Sequence, residues 1–135
     1  MDLLNSALKF LSYRPRSKKE ITDFLHKRTS DDQQISQIIA KLDQLKLIND
    51  EEFTAWLVKS RSRNRGSIFI KQDLKKYGID LKNVATNDLQ TAINLLTKKK
   101  PQDYPKAYRY LAYRGIPSAI IAQAIKKVYN QRNVN

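Results

Sequence analysis

LSYRPRSKKEI at positions 11–21 and LAYRGIPSAII at positions 111–121 are two versions of one short sequence, and they decide the fold of this chain. Leucine, tyrosine, arginine and isoleucine stand at matching places in both versions, 100 residues apart. Each version leaves one apolar pattern, passes a corner that contains proline, and enters a second apolar pattern. Because recurrence at a fixed offset indicates a repeat architecture, we expect a small structural unit that recurs along the chain.

Around these two stretches the apolar residues recur at the spacing of an α-helix. The clearest pattern is formed by Ile35, Ile38, Ile39, Leu42 and Leu45, and seven other segments show the same period. Residues that favour helix starts precede several segments, at Ser17, Ser30, Asn49, Ser67 and Asn87. Glycines that favour helix ends follow others, at Gly66, Gly78 and Gly115. Alternating strand patterns are absent from the sequence, which predicts an all-α protein with eight helices.

The lengths of the predicted helices repeat along the chain as short, short, long. This order predicts three helical repeats of about 50 residues, at residues 1–48, 49–100 and 101–135, with the last repeat truncated to two helices. The first and third repeats align closely, with Phe10 opposite Tyr110, whereas the middle repeat fits less closely and places Arg63 near Arg14. Neighbouring repeats are expected to stack, so the predicted architecture is an elongated tandem array.

Positive charge is the strongest feature of the composition. The 135 residues include 26 Lys and Arg against 13 Asp and Glu, which gives a net charge of +13. Such an excess attracts phosphate backbones and indicates a polyanionic partner. A basic protein without such a partner is the plain alternative. An anionic membrane surface is a weaker one, because no segment combines a basic face with a wide apolar face.

Other bulk features restrict the setting of the protein. The chain has no cysteine, which rules out disulfides and thiolate metal sites and fits a reducing compartment. Its longest apolar runs span only a few residues, so no membrane segment is expected. Polar residues interrupt the first ten positions, unlike a signal peptide. We therefore expect a monomeric cytoplasmic protein with no membrane contact.

Three segments of the sequence resemble the RecX family of bacterial regulators of the RecA recombinase. They are ALKFLSYRPRSKKEITDFL at 7–25, LKLINDEEFTAWLVKSR at 45–61 and KAYRYLAYRGIPSAIIAQAI at 106–125. No single motif is strong, but the order and spacing of the three are more specific than any one of them. The similarity covers nearly the whole chain.

This resemblance implies a tandem of three-helix repeats that lies along the helical groove of a RecA–DNA filament. There it would restrain ATP hydrolysis, strand exchange and coprotease activity, with single-stranded DNA contacted directly or through the filament. The family is not enzymatic, and the resemblance implies no cofactor. The last repeat departs from the family pattern because it ends without a third helix, which weakens any grip that relies on that helix.

The candidate binding residues are basic side chains at the predicted corners. These are Arg14, Arg16, Lys18 and Lys19 at the first corner, Arg61, Arg63 and Arg65 at the second, and Arg109 and Arg114 at the third. Stacked repeats would align equivalent corners into a basic row. Arginine suits such a row because its fork binds phosphate or carboxylate in a bidentate manner. The alternative is that these residues only solvate helix ends and favour the helix dipole.

Lysines and tyrosines provide two further sets of candidates. Lys71, Lys75 and Lys76 recur on one side of the fifth helix, as a phosphate-binding face or as ordinary solvated surface. Tyr104 and Tyr108 are candidates for stacking on single-stranded bases. Five other aromatic residues are expected to pack in the core, namely Phe53, Trp56, Tyr110 and the equivalent pair Tyr13 and Tyr113.

The sequence contains no recognisable catalytic constellation. His26 is the single histidine and has no acidic or thiol partner at ligand spacing, so it is expected at the surface. Three glycines in all leave no phosphate-binding loop. The competing functional interpretation is a stand-alone DNA- or RNA-binding module, since two short helices joined by a tight corner also describe a helix-turn-helix.

Overall fold

The computed structural model of the protein describes residues 2–133, apart from the side chains of residues 83 and 131–133. The helices of this part are α1 Leu3–Tyr13, α2 Lys18–His26, α3 Asp32–Gln44, α4 Asp50–Arg61, α5 Ser67–Lys76, α6 Asp88–Lys99, α7 Tyr104–Tyr113 and α8 Ser118–Asn133, with a 3₁₀ turn at Leu81–Asn83. No strand occurs between residues 2 and 133. The predicted all-α fold and the predicted helix order are confirmed.

Polar side chains start three of the helices where the sequence predicts them. The Ser17 hydroxyl accepts the Glu20 N–H at 3.1 Å, and the Glu20 carboxylate accepts the Ser17 N–H at 3.2 Å. This reciprocal pair is the predicted capping box, and it satisfies backbone groups that the first helical turn leaves unpaired. Asn49 and Asn87 also act as predicted, because their side chains accept backbone N–H groups at the starts of α4 and α6.

Two predicted helix starts and one predicted helix end are wrong. Asp31 caps α3 in place of Ser30, because its carboxylate accepts the Gln34 N–H at 3.1 Å. Ser67 is the first residue of α5 and not its cap, since its N–H and hydroxyl both donate to Asp88, at 2.7 and 2.5 Å. Gly66 does not end α4, which stops at Arg61.

The other two glycines end their helices as predicted. Gly78 has a φ of 78° and Gly115 a φ of 86°, both in the left-handed region that residues with a Cβ rarely adopt. The Gly78 N–H donates to the Lys75 carbonyl and the Gly115 N–H to the Ala112 carbonyl. Among the described helices, none has both the length and the apolar character needed to cross a bilayer.

The chain folds into two compact units. The first comprises Met1–Trp56 and Leu74–Asp80, and the second Leu57–Asp73 and Leu81–Asn135. In the first unit α1, α2 and α3 enclose a core, whose buried residues include Ile21, Leu25 and Leu42. In the second unit α6, α7 and α8 enclose a separate core, whose buried residues include Leu96, Leu111 and Ile121.

The two compact units are defined by which residues pack together, so they do not test the predicted repeat boundaries. α6 belongs by sequence to the predicted repeat 49–100, and it packs against α7 and α8 of the predicted repeat 101–135. The three boundaries and the elongated stacking of the repeats therefore stay predictions.

Candidate functional site

The first corner, between α1 and α2, contains a bidentate ion pair between an arginine and a carboxylate. Arg14 donates from Nη2 to Glu20 Oε2 at 2.6 Å and from Nη1 to Glu20 Oε1 at 3.1 Å. Two parallel bonds of this kind are the strongest ion-pair geometry available to arginine. The Arg14 guanidinium also lies 5.9, 5.4 and 5.7 Å from the ring centres of Phe53, Trp56 and Tyr77. Arg14 thus sits among three aromatic rings with its charge balanced.

Arg16 is directed to the same carboxylate. Its Nη1 lies 3.6 Å from Glu20 Oε2, and its Nε donates to the Phe10 carbonyl at 3.2 Å. Burial, followed by the nearby charge of Arg14, lowers the pKa of Arg16 below its ordinary value. The side chains of Arg14, Arg16 and Glu20 are only 26, 12 and 11% exposed. The first corner is therefore an internal charge cluster.

An aromatic stack supports this corner, and the sequence did not reveal it. The rings of Phe10 and Phe24 lie parallel, with their centres 4.3 Å apart. The Arg16 guanidinium lies 3.8 Å from the Phe10 ring centre and the Arg28 guanidinium 3.7 Å from that of Phe24. Two cations thus cover the two outer faces of the ring pair, an arrangement that each cation–π contact stabilises. Helical periodicity places both rings toward the core side but does not predict their pairing.

The second corner also contains arginines that already have a partner. Arg61 Nε lies 3.7 Å and Arg65 Nη1 3.6 Å from Asp73 Oδ2. The Arg61 Nε is buried and makes no hydrogen bond to the described residues. Arg63 lies between these two arginines in the sequence, is exposed, and forms no ion pair within residues 2–133. Arg63 is the candidate at this corner whose charge is not balanced locally.

At the third corner no carboxylate of the described residues pairs with the arginine. Arg114 lies 5.3 Å from the ring centre of Tyr110 and donates to the Asn64 carbonyl at 3.3 Å. Ile120 occupies the place that Glu20 has in the first corner. Arg109 is exposed on α7, and no ion pair to it forms in the described part of the chain. The third corner therefore retains its positive charge.

The candidate lysines also include one that has an acidic partner and others that do not. Lys19 pairs with Asp23 at 2.9 Å. The other four are exposed and have no ion pair with any residue that the structure describes, namely Lys18, Lys71, Lys75 and Lys76. These four side chains are free to contact an anion.

One pair of tyrosines departs from the sequence prediction. Tyr13 and Tyr113, predicted to pack, are 71 and 80% exposed. Tyr104 and Tyr108 stack on one another with ring centres 6.2 Å apart, and Tyr108 also packs partly against the second core. The packing prediction for the equivalent pair is wrong because each tyrosine is the last residue of its helix, on the side away from the core. Counting helical turns from Ala7 and Ala107 would have revealed this.

The other predicted core aromatic residues are buried to different extents. Phe53 is fully buried, as predicted. Trp56 and Tyr110 are half-buried, each beside an arginine. His26 is exposed, as predicted. No cluster of His, Cys, Asp or Glu suited to a metal ion is found among the described residues.

These features define a class: an all-helical, strongly basic protein that has three-helix units and charged corners. Residues 4–42 match the family model described as "RecX, first three-helix domain". The chain is 30% identical to the crystal structure of RecX from Lactobacillus salivarius, over 93% of both chains, with a TM-score of 0.77. It belongs to the RecX family.

Curated relatives support the same assignment. The chain is 30% identical to the regulatory protein RecX of Oceanobacillus iheyensis, over 88% of this chain and 50% of the relative. It is also 30% identical to that of Clostridium beijerinckii, over 91% of this chain and 66% of the relative. The chain thus spans about half to two thirds of the length of these relatives. A second crystal structure, of a regulatory protein RecX, shares the fold at 20% identity with a TM-score of 0.73.

Proposed function

We propose that this chain binds a RecA–DNA filament and restrains its ATPase, strand-exchange and coprotease activities, so regulating DNA repair and recombination. The observation that supports this most is the 30% identity to a RecX protein over 93% of both chains. A net charge of +13 suits a filament built around a nucleic acid. In this proposal the protein acts as a monomer in the cytoplasm, without catalysis of its own.

The unpaired cations are the side chains that we propose for the filament contact. Arg63, Arg109, Lys18, Lys71, Lys75 and Lys76 are exposed and form no ion pair with the described residues. They can meet a phosphate or an acidic side chain without first breaking an internal bond. By contrast, Arg14 and Arg16 would have to leave Glu20, and Arg61 and Arg65 would have to leave Asp73. A binding role for those four requires a larger gain than for the unpaired set.

The proposal is tested by following ATP turnover of RecA on single-stranded DNA while the purified protein is added. We expect inhibition well below one regulator per recombinase, because one bound regulator affects many subunits of a filament. If phosphates are contacted, binding weakens with salt, with a log–log slope of about −0.7 for each single-strand phosphate neutralised. Unimpeded ATP turnover, together with tight sequence-specific binding to duplex DNA, would instead support a stand-alone helix-turn-helix module.

Charge reversal identifies the contact residues. Arg63→Glu combined with Arg109→Glu should raise the concentration needed for half-inhibition at least tenfold. The matched control is Lys98→Glu combined with Lys127→Glu, which changes the net charge equally at two exposed lysines outside the corners. Equal losses in the two double variants would mean that only net charge matters. That result would remove Arg63 and Arg109 from the binding surface.

A further inference from the structure

A cation and an exposed tyrosine recur one helical turn apart in both compact units. Lys9 and Tyr13 lie at i and i+4 on α1, and Arg109 and Tyr113 lie at i and i+4 on α7. All four side chains are exposed. Residues at this spacing share one face of a helix, with Cβ atoms roughly 5–6 Å apart. The two pairs are separated by the same offset of 100 residues that relates the two corner sequences.

Packing within either unit does not account for these tyrosines. Neither Tyr13 nor Tyr113 stacks on another ring or bonds through its hydroxyl within residues 2–133. The core faces of the same helices include Ala7 and Ala107, which are fully buried. Two large rings that remain in water at equivalent positions, each beside an unpaired cation, have the chemistry of a contact surface. A single exposed apolar residue is ordinary, whereas these two tyrosines recur at the offset that relates the two corners.

The neighbouring charge identifies the partner. One nucleotide of a single strand offers a phosphate for a cation and, a short distance away, a flat base for an aromatic ring. Stacking of bases on aromatic side chains is tolerant of sequence and works together with basic residues that follow the backbone. Residues 101–135, which include Arg109 and Tyr113, contain six Lys and Arg against one acidic residue. This excess of positive charge suits a polyanion better than a neutral protein surface.

We infer that Lys9 with Tyr13, and Arg109 with Tyr113, are two contact points for single-stranded nucleic acid. At each point the cation binds a phosphate and the tyrosine ring stacks on a base. The inference deepens the proposed function, on which it rests for the source of the strand, namely the DNA of the filament. The contact itself belongs to the isolated protein and does not require the recombinase.

The test measures binding of the full chain to two fluorescent strands of equal length, oligothymidylate and an abasic strand with the same number of phosphates. Tyr13→Ala combined with Tyr113→Ala should weaken binding to oligothymidylate about tenfold or more, because each stacked base contributes substantially. Binding to the abasic strand should change less than twofold. The Tyr→Phe double variant should bind both strands like the wild type, since the ring is retained.

The cations are tested separately by Lys9→Gln combined with Arg109→Gln. This variant should bind both strands more weakly, and its salt slope should be shallower by about 1.4, from 0.7 for each of two phosphates. Leu45→Ala serves as a control, because Leu45 is an exposed apolar residue without a neighbouring aromatic contact point. All variants should keep the wild-type helix content, which circular dichroism checks.

Two results would overturn the inference. One is a Tyr→Ala double variant that binds oligothymidylate within twofold of the wild type. The other is a double variant that loses inhibition of RecA ATP turnover but keeps full affinity for the free strand, which would assign the tyrosines to the recombinase protein. Failure of the proposed function looks different: the wild type would not slow RecA at all, and the two-strand comparison would still decide the contact points.

Discussion

The first and third corners share a sequence pattern but are held by different forces. At the first, Arg14 and Arg16 converge on Glu20, so side-chain charge closes the turn between α1 and α2. At the third corner, backbone hydrogen bonds attach the turn between α7 and α8 to the start of α5. The Arg114 carbonyl accepts the Gly66 N–H at 2.6 Å, and the Gly115 carbonyl accepts the Ile68 N–H at 3.1 Å. One corner uses its arginine for structure, and the other leaves its arginine with a net charge.

A single position accounts for much of this difference. Glu20 in the first corner is replaced by Ile120 in the third. The carboxylate both completes the capping box of α2 and neutralises two guanidinium groups. The isoleucine packs partly against the second core instead. A repeated arginine is therefore informative about binding only after its local acidic partners have been counted.

The largest loss of stability is expected at Gly66, where the backbone of the second corner lies close to that of the third. A Cβ on Gly66 would lie 2.6 Å from the carbonyl carbon of Gly115 and 2.7 Å from Ile116 Cδ1. Gly66→Ala should therefore lower the free energy of unfolding by about 3 kcal/mol, because two backbone segments must separate. Thermal unfolding followed by circular dichroism measures this loss.

Its control is Ser62→Ala, which changes a half-buried residue of the same corner without adding volume. This variant should lose less than about 1 kcal/mol. A Gly66→Ala protein as stable as the control would show that the close backbone contact is not needed for the third corner.

Much of the helical framework could be predicted from sequence because it depends on local signals. The Ser17 capping box, the Asn49 and Asn87 starts and the Gly78 and Gly115 ends all act within a few residues of themselves. The predicted capping role of Ser67 is wrong because its partner, Asp88, lies 21 residues away. Local signals cannot include a competing partner that only tertiary structure brings close.

The candidate site was less predictable from sequence, because its side chains have partners that only the tertiary structure brings close. Sequence identifies where the cations are but not which of them already have a partner. Arg61 and Arg65 are paired with Asp73, whereas Arg63 between them is not. The predicted packing of Tyr13 and Tyr113 is wrong because equivalence between repeats does not imply burial. Two residues in equivalent positions can equally share a face that points to solvent.

A smaller loss of stability is expected when the first corner loses the carboxylate charge of Glu20. Glu20→Gln keeps the capping geometry, since glutamine also serves in a capping box, but leaves Arg14 and Arg16 without a counterion in partly buried surroundings. We expect the free energy of unfolding to fall by about 2 kcal/mol, less than for a fully buried pair because all three side chains retain some exposure. Urea unfolding followed by Trp56 fluorescence reports on this region, since Arg14 lies 5.4 Å from the Trp56 ring centre.

The matched control for that change is Glu51→Gln, at an exposed position in the first turn of α4. It removes the same charge and should cost about 0.5 kcal/mol or less. Similar losses in both variants would mean that Glu20 acts only through helix-dipole electrostatics, and the ion-pair account of the first corner would fail.

The finest test of the comparison is the same substitution at the two equivalent arginines. Arg14→Met should cost about 1.5 kcal/mol, because it removes the bidentate bonds to Glu20 while keeping an apolar side chain among three rings. Arg114→Met should cost about 0.5 kcal/mol, because Arg114 gives up one 3.3 Å bond and a ring contact. Inhibition of RecA should show the opposite order, with the greater loss at Arg114. Arg114 is not one of the six exposed cations, but its charge has no carboxylate partner among the described residues, whereas Glu20 balances the charge of Arg14. Equal stability losses together with equal losses of inhibition would mean that sequence equivalence, and not the local partner, sets the role of each arginine.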